Sequence, residues 1–369
     1  MPNLAIYRKY RPSTLSDLLG QDIIAQILKE AARKDRLAHA YLLSGPRGTG
    51  KTTTARLITK IANCTTRHTD KNHKALGEPC NACLACESID KGAALDVIEI
   101  DAASNRGIDE MRALKENVRI APGVLQNKVF IIDEAHQLTK EAANALLKTL
   151  EEPPEYVTII LATTELEKIP ATIASRAQKF QFKHVPLKLV TEKLKKIATE
   201  EKIQIDGDAL ELIASAGEGS FRDAESLLDQ MASLTEGKIT TEAVESTLGK
   251  IGFRKVTSLA TLLLENKLDE ALQALSEITD EGQNLVELTK DLILYMRKVA
   301  VLAKNPTMKS KFETELPADQ IKTIESHREL YKNEHLELLK NIIKAYSQMR
   351  YSQFPQIPLE IAIIESLQS

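Results

Sequence analysis

The segment that most constrains the fold of this chain is Gly45–Thr52, which reads Gly-Pro-Arg-Gly-Thr-Gly-Lys-Thr. An apolar run, Ala40–Ser44, precedes it and predicts a buried strand, and a helical pattern over Thr52–Ala62 follows it. A glycine-rich loop between a strand and a helix lets backbone N–H groups close around phosphate groups. The segment therefore predicts a strand, a phosphate-binding loop and a helix, in that order.

Strand and helix patterns alternate through the first half of the chain. Four further predicted strands are Val97–Asp101, Val129–Asp133, Val157–Thr164 and Lys179–Phe182. The first three are mostly continuous apolar runs, which are typical of parallel strands covered on both faces. The other predicted helices of this region are Ile23–Arg33, Ile108–Val118 and Lys140–Leu150. This alternation predicts a three-layer α/β domain over residues 1–186.

After Pro186 the patterns are helical only. A first group of predicted helices lies in residues 187–249: Lys188–Glu200, Asp208–Ala216, Ser220–Leu234 and Thr241–Leu248. Gly249 and Gly252 predict a hinge behind this group. A second group lies in residues 250–369: Val256–Ile278, Leu285–Ala303, Ala318–Tyr331, Glu337–Tyr351 and Leu359–Leu367. We therefore expect three domains, 1–186, 187–249 and 250–369, of which the last two are wholly helical.

Composition excludes several classes of protein. With 43% hydrophobic and 27% charged residues, the chain is predicted to be soluble and globular. It has no apolar run long enough to span a bilayer, and its start lacks a signal peptide's apolar region. We therefore expect a cytoplasmic protein without membrane contact. A net charge of -3 argues against a wholly basic nucleic-acid coat, and the absence of Trp leaves phosphates rather than base stacking for any DNA contact.

Polar residues at the loop and at two strand ends predict a nucleotide site. Lys51 would neutralise charge on the β- and γ-phosphates, and the Thr52 hydroxyl would hold Mg²⁺. Asp133 would take the magnesium through water, and Glu134 would polarise an attacking water as a general base. The alternative for this acidic pair is an N-cap of the following helix. Thr164 either contacts the γ-phosphate or the attacking water, or is only a β-forming residue at a strand end.

Two arginines outside the loop are also candidates. Arg176, which follows Ser175, is by default a surface residue. Arg222 follows Ser220, which with Asp223 resembles a capping box. This pattern places Arg222 in the first turn of a helix, facing outward from a mobile helical unit, where it could sense the γ-phosphate and close a lid.

The chain has four cysteines, at Cys64, Cys80, Cys83 and Cys86, all between the loop and Asp133. Four thiolates with a CxxC core suit a closed tetrahedral zinc site. An iron–sulfur cluster is the competing interpretation, because CxxCxxC also occurs in ferredoxin-type sites. Disulfides are not expected in a cytosolic protein of this kind. With no open position on the metal, the zinc would be structural and would contribute on the order of 10 kcal/mol to folding.

Together these features resemble the gamma/tau subunit family of the bacterial DNA polymerase III clamp loader, whose members are AAA+ ATPases. Besides the loop and the cysteine insert, the segments that carry the resemblance are Tyr7–Pro12, Leu19–Gln21, His39–Leu43, Glu99–Ser104, Asp133–His136 and Asn144–Pro154. The resemblance implies an α/β AAA+ P-loop domain with a parallel sheet, a small helical lid and an all-α collar. It also implies that ATP hydrolysis drives the loading of a sliding clamp onto primed-template DNA. The implied cofactors are ATP, Mg²⁺ and Zn²⁺, and the implied partners in the collar are other clamp-loader subunits.

The resemblance further implies a role for each site residue. Asp133 and Glu134 would form the Walker B pair, Thr164 would be sensor 1 and Arg222 sensor 2. Arg176 would be an arginine finger that reaches the ATP of a neighbouring subunit. Implied nucleotide contacts are Arg11 and Leu19 near the adenine and, in the Walker A segment, Gly45, Pro46, Arg47, Gly48, Thr49, Gly50, Lys51, Thr52 and Thr53.

The segment Ser104, Asn105 and Arg106 would face the DNA backbone, unless it is only a capped helix start with a solvated arginine. One position departs from the family, whose Ser-Arg-Cys is Ser175-Arg176-Ala177 here. Because this exchange is small and apolar, we expect the finger to survive it. The chain stops where the family's third domain ends, so we expect it to lack the tau extension.

Two competing functions differ from clamp loading. Another AAA+ motor, such as a branch-migration helicase, would carry no cysteine insert at this place. A nucleotide-gated scaffold would bind ATP without turnover, and the intact Lys51, Thr52, Asp133 and Glu134 argue against it.

Overall fold

The computed structural model describes residues 4–104, 114, 116–248, 253–313 and 316–367. The chain divides into two compact units, Met1–Val190 with Gly217–Ser226, and Thr191–Ala216 with Leu227–Ser369. Several predictions lie wholly or largely outside the described residues: the helix Ile108–Val118, the hinge at Gly249 and Gly252, and the DNA contacts Asn105 and Arg106.

A parallel sheet of five strands forms the centre of the first unit. The strands are β1 Ala40–Ser44, β2 Val97–Asp101, β3 Lys128–Asp133, β4 Val157–Thr163 and β5 Gln178–Gln181, which confirms all five predicted strands to within two residues. Their order is β2-β3-β4-β1-β5, so β4 lies between β3 and β1. Since all of these pairings are parallel, the carboxyl ends of β1, β3 and β4 meet at one edge of the sheet.

Helices cover both faces of this sheet, as the alternating patterns predict. The labelled helices of the first unit are α1 Ile6–Lys9, α2 Asp22–Arg33, α3 Lys51–Asn63, α4 Thr65–Thr69, α5 Lys71–Lys74, α6 Leu84–Asp90, α7 Lys140–Glu151 and α8 Ala171–Ala174. Phe130 of β3 packs in the apolar cluster that contains α7 residues. Its neighbour Ile131 packs in the cluster formed with α2 and α3. Consecutive residues of one strand therefore face two different helix layers.

Strand β2 differs from its prediction. Val97–Asp101 was expected to be covered on both faces, but Glu99 and Asp101 are exposed and the other three residues are only half-buried. The expectation is wrong because β2 is an edge strand that pairs with β3 alone. Strand β1, which was also predicted to be buried, is fully buried between β4 and β5.

The remaining helices follow the patterns after Pro186. They are α9 Leu187–Glu200, α10 Gly207–Ala216, α11 Phe221–Leu234, α12 Thr241–Leu248, α13 Phe253–Leu264, α14 Leu268–Asp280, α15 Leu285–Lys304, α16 Lys309–Phe312, α17 Ala318–Leu330, α18 His335–Met349 and α19 Gln356–Leu367. Helices α13 to α19 share one continuous apolar core that includes Leu263, Leu292 and Ile342. Among the described residues, no helix is both long and apolar enough to cross a membrane.

The single helix predicted over Val256–Ile278 is wrong, because the chain forms two helices there, α13 and α14. Asn266 adopts a left-handed backbone with φ 58°, a conformation that asparagine tolerates better than most residues. The N–H of Lys267 then donates to the carbonyl of Leu262 at 2.9 Å, which closes the end of α13. The periodic leucines alone do not reveal this break.

Candidate nucleotide site and cysteine cluster

The loop Gly45–Gly50 connects β1 to α3 with a backbone that depends on glycine. Gly45 and Gly48 have φ values of 140° and 70°, where a side chain is strained. A Cβ on Gly45 would overlap the carbonyl of Phe182, and a Cβ on Gly48 would overlap the Ser220 hydroxyl. The second contact holds the loop against the residue that precedes α11.

Lys51 begins α3 and is buried. Its Nζ donates to the carbonyls of Gly45 and Pro46, each at 2.8 Å. Burial lowers the pKa of Lys51, and the negative charges of Glu134 and Asp133 oppose that shift. The Lys51 ammonium group therefore lies over the loop and donates hydrogen bonds to two of its carbonyl oxygens.

Thr52 and Asp133 form the second element of the site. The Thr52 hydroxyl donates to one carboxylate oxygen of Asp133 at 2.7 Å, and the Glu134 N–H donates to the other at 2.9 Å. Asp133 ends β3, and Glu134 turns away from it in the left-handed region with φ 48°. A hydroxyl next to a carboxylate is the all-oxygen donor set that Mg²⁺ prefers.

Glu134 is held by residues that follow β3 and β4. The Thr164 hydroxyl donates to Glu134 Oε2 at 3.2 Å, and His136 Nδ1 lies 3.4 Å from the same oxygen. His136 is also 3.0 Å from the Thr163 hydroxyl and, through Nε2, 3.2 Å from Glu165 Oε1. Sequence reasoning missed the role of His136, although its place directly after Asp133-Glu134-Ala135 is a usable signal.

Arginine side chains approach one another beside the loop. The Arg222 guanidinium lies 5.2 Å from the Tyr7 ring centroid, and the Arg8 guanidinium lies 5.6 Å from it. The pKa of Arg11 is lowered first by burial and then by the positive charge of Arg56; Glu99 opposes this shift, and Arg222 and Arg8 add to it less. An anionic ligand would relieve this repulsion. The sequence assigned no role in the site to Tyr7, Arg8 or Arg56, although Tyr7 and Arg8 lie in a segment that carries the family resemblance.

Arg222 is exposed, as expected, but the turn that carries it is grouped with the loop and not with the rest of the helical segment. Residues Gly217–Ser226 belong to the same compact unit as the loop. Ser220 does cap this helix, since its hydroxyl accepts a hydrogen bond from the Asp223 N–H at 3.2 Å. The first turn of α11 is thereby positioned at the loop rather than away from it.

Arg176 follows α8 and is bound within its own chain. It forms an ion pair with Glu151 at 2.6 Å and donates to the Thr172 carbonyl at 2.7 Å. None of its contacts among the described residues joins it to Lys51 or Asp133. The neighbouring Ala177 packs against the apolar cluster on the α7 side of the sheet.

The other predicted ligand contacts occupy varied positions. Leu19 is partly exposed and Thr53 is half-buried on α3. The Thr49 hydroxyl donates to the Pro46 carbonyl at 2.8 Å. Arg47 is largely exposed and 3.9 Å from Asp223. Ser104 lies just after β2, where its N–H donates to the Asp101 carbonyl at 3.2 Å.

The four cysteine sulfurs lie within 4.8 Å of one another. Cys64 follows α3 and its Sγ accepts N–H groups of Arg67 at 3.4 Å and Cys80 at 3.3 Å. The sulfur of Cys80 accepts the Thr66 hydroxyl at 3.2 Å and the Cys83 N–H at 3.3 Å. Hydrogen bonds of this type stabilise the thiolate form of a cysteine.

The thiols of the cluster differ in acidity. Burial raises the pKa of Cys80, but the hydrogen bonds from Thr66, Ala82 and Cys83 outweigh it and lower the pKa to about 6. Burial raises the pKa of Cys64 and of Cys86. A bound divalent cation would stabilise all four thiolates and so lower the raised pKa values of Cys64 and Cys86. The donor set therefore fits a single metal ion.

Family models match three consecutive segments of the chain. They describe the DNA polymerase III delta subunit at residues 20–186, the ATPase lid domain of the DNA polymerase III clamp loader subunit at 189–237, and domain III of the gamma and tau subunits at 239–368. The DNA polymerase III subunit gamma of Buchnera aphidicola subsp. Acyrthosiphon pisum is 33% identical, over 97% of this chain and 96% of its own length. The chain belongs to the DNA polymerase III gamma/tau family.

Longer members of this family extend beyond the region matched. The tau subunit of Bacillus subtilis (strain 168) is 39% identical over 99% of this chain, which spans 63% of that protein's length. A solved structure of the Thermotoga maritima RuvB Holliday junction branch migration motor covers 74% of this chain and 86% of its own, at 20% identity and a TM-score of 0.46. That similarity is too low to bear on function. The sheet, the lid segment and the helical third segment confirm the predicted AAA+ fold class.

Proposed function

We propose that this chain is the ATP-hydrolysing motor subunit of the DNA polymerase III clamp loader. The observation that carries the proposal is the meeting of Lys51, Thr52, Asp133, Glu134 and Thr164 at the carboxyl edge of one parallel sheet, in a chain of this family. A phosphate loop with an intact acidic pair supports turnover and not only binding.

The loop residues and the acidic pair divide the chemistry between them. Lys51 would exchange its two carbonyl contacts for phosphate oxygens, and its burial makes that charge interaction strong. Thr52 and Asp133 would hold Mg²⁺, which neutralises charge on the phosphate oxygens when bound. Glu134 would accept a hydrogen bond from the attacking water and polarise it. Thr164, already bonded to Glu134, would orient that carboxylate.

Arg176 would act on the ATP of a neighbouring subunit. In the single chain its guanidinium is occupied by Glu151 and the Thr172 carbonyl, so it is not committed to its own loop. An arginine finger supplied in trans contributes about 10³–10⁵ in rate. We infer that efficient hydrolysis follows only after assembly.

The three domains 1–186, 187–249 and 250–369 would serve as motor, lid and collar. Exposed apolar side chains on the collar support a protein partner there: Leu336, Ile343, Phe354, Ile357 and Ile361. We propose that this partner is another clamp-loader subunit, that the assembly acts in the cytoplasm on a sliding clamp and primed-template DNA, and that Ser104, Asn105 and Arg106 face the DNA backbone.

We propose zinc as the ion held by Cys64, Cys80, Cys83 and Cys86. Bonds of about 2.3 Å in a tetrahedron place sulfurs about 3.8 Å apart, which the close packing of these sulfurs permits. An iron–sulfur cluster, with several metal atoms between its ligands, would hold the sulfurs farther apart. The site would be structural, because all four positions on the metal are filled by protein.

The test is ATP turnover by the complex assembled with its partner subunits, clamp and primed DNA, comparing wild type with Arg176→Ala. We expect turnover to fall on the order of 10³-fold while the Kd for ATP stays unchanged. Arg36→Ala, at another exposed arginine, is the matched control and should retain turnover. An unchanged rate in Arg176→Ala would refute the finger. ATP binding without turnover by the wild-type complex would instead favour a nucleotide-gated scaffold.

A further inference from the structure

Glu78 links the cysteine insert to a distant part of the chain. It lies two residues before Cys80 and is 9% exposed. Its carboxylate accepts the backbone N–H of Leu15 at 2.7 Å, the N–H of Ser16 at 2.9 Å and the Ser16 hydroxyl at 3.0 Å. The ammonium of Lys29 on α2 forms an ion pair with it at 2.9 Å.

A buried carboxylate is costly unless its oxygens are bonded, and here both oxygens have partners. The amides that Glu78 binds open the 3₁₀ turn Leu15–Asp17. Such amides lack partners within their own helix. Glu78 therefore supplies, from more than sixty residues away, the acceptors that this turn cannot supply itself.

The turn that Glu78 holds is connected to the phosphate loop. Leu15 is fully buried, and Leu18 directly after the turn is 4% exposed. A Cβ placed on Gly50 would lie 3.8 Å from Leu18 Cδ2, so Leu18 packs beside the last glycine of the loop. Arg11, four residues before Leu15, belongs to the arginine cluster around Arg222 and Arg56.

The cysteine insert, residues 64–86, also contacts the second half and the end of α2. Gly77 approaches the Lys29 carbonyl so closely that a Cβ there would overlap it. The buried guanidinium of Arg67 donates to the Ala32 carbonyl and to Asp35, and Lys74 also pairs with Asp35. The cysteine insert therefore packs and bonds directly against α2 and the turn before it.

We infer that Glu78 is a positioning residue for nucleotide binding: it fixes the segment 13–19, which holds Leu18 beside the loop and continues directly from Arg11. The inference rests on the proposed ATP site. Glu78 does not contact the reacting atoms, so it affects how tightly ATP is held and not how fast bound ATP reacts.

The test uses the full chain and Glu78→Gln. The amide side chain keeps one acceptor oxygen but presents an NH₂ group to an N–H donor, and it loses the ion pair with Lys29. We expect the Kd for ATP, measured by titration calorimetry, to rise about tenfold, the factor for losing one hydrogen bond to a charged group. In the assembled complex, kcat at saturating ATP should stay at the wild-type value while KM rises.

A matched control and a milder variant make the test specific. Glu87→Gln alters a carboxylate of the same insert that pairs with exposed Lys91, and this variant should bind ATP as the wild type does. Ser16→Ala removes one of the donors to the Glu78 carboxylate but keeps the carboxylate itself, and should raise the Kd for ATP about threefold. Hydrogen exchange of a peptide covering residues 13–20, without nucleotide, should be faster in Glu78→Gln than in Glu87→Gln.

The outcomes separate this inference from the proposed function. A wild-type chain that does not bind ATP would refute the proposed function, and the inference with it. Wild-type binding together with an unchanged Kd in Glu78→Gln would overturn the inference alone. If kcat and ATP binding fell equally, and amide exchange became faster throughout the first unit, Glu78 would be only a general stabilising residue. That result would also overturn the inference.

Discussion

The contact between Gly48 and Ser220 gives a quantitative test of how the loop is tied to α11. In Gly48→Ala, a side chain would be placed at φ 70°, which costs about 1–2 kcal/mol for an L-residue. The new Cβ would also overlap the Ser220 hydroxyl and lie 2.8 Å from the Ser220 Cβ. Ser220 would have to rotate and lose its cap to the Asp223 N–H, which costs about 1 kcal/mol more.

Gly92→Ala is the matched control because it has the backbone strain of a positive φ but no overlap with a neighbouring side chain. Gly92 has φ 66°, and a Cβ there would meet nothing within 4 Å. We expect Gly92→Ala to lower the free energy of unfolding by about 1–2 kcal/mol and Gly48→Ala by about 2–3 kcal/mol. The gain from reducing the freedom of the unfolded chain is common to both variants and cancels in the comparison.

A double-mutant cycle isolates the overlap itself. Ser220→Gly removes both the hydroxyl and the Cβ, and glycine is only a few tenths of a kcal/mol worse than serine as an N-cap. Urea unfolding followed by circular dichroism should show that Gly48→Ala costs about 1 kcal/mol less in the Ser220→Gly background. Gly48→Ala should also weaken ATP binding more than Gly92→Ala, since Arg222 follows Ser220. Equal costs for the two alanine variants, with no coupling to Ser220, would refute the contact.

Two further predictions concern the metal and pH. Extraction of the metal with a strong chelator should release one zinc per chain and speed amide exchange over residues 64–90, whereas visible absorption by the purified protein would indicate iron instead. Nδ1 of the buried His327 lies 2.7 Å from the Tyr295 hydroxyl, and burial lowers the pKa of His327 below the usual value of about 6.5. Its contribution to stability is therefore complete above pH 6.5 and is lost as the pH falls towards the folded-state pKa, so acid unfolding should begin at lower pH in a His327→Gln variant.

Periodicity and motif context predicted most of the elements. Sequence patterns predicted all five strands, and the apolar signal corresponds to burial in β1, β3 and β4, which lie inside the parallel sheet. The same signal did not distinguish the edge strand Val97–Asp101 from the central ones, because strand order depends on pairing between distant residues. Nor did it reveal the break at Asn266, since apolar spacing continues on both sides of a short turn.

The candidate site divides in the same way. Lys51, Thr52, Asp133 and Glu134 were predicted, because their chemistry depends on neighbours in sequence that a motif can display. The support of Glu134 by His136 and the cap that Glu78 places on the turn Leu15–Asp17 were not. These contacts join residues on different elements, and no local pattern records them.

The sequence by itself therefore determined which groups this protein offers for the proposed binding of phosphate, magnesium and a thiolate-bound metal, and in which order along the chain they occur. Only the tertiary structure decided what holds them in place. It brings the start of α11 against Gly48, occupies Arg176 with Glu151, and connects the cysteine insert to the turn beside the loop. The reason is physical: residue chemistry is carried by each side chain alone, whereas position depends on close packing and hydrogen bonds between segments that are far apart in the chain.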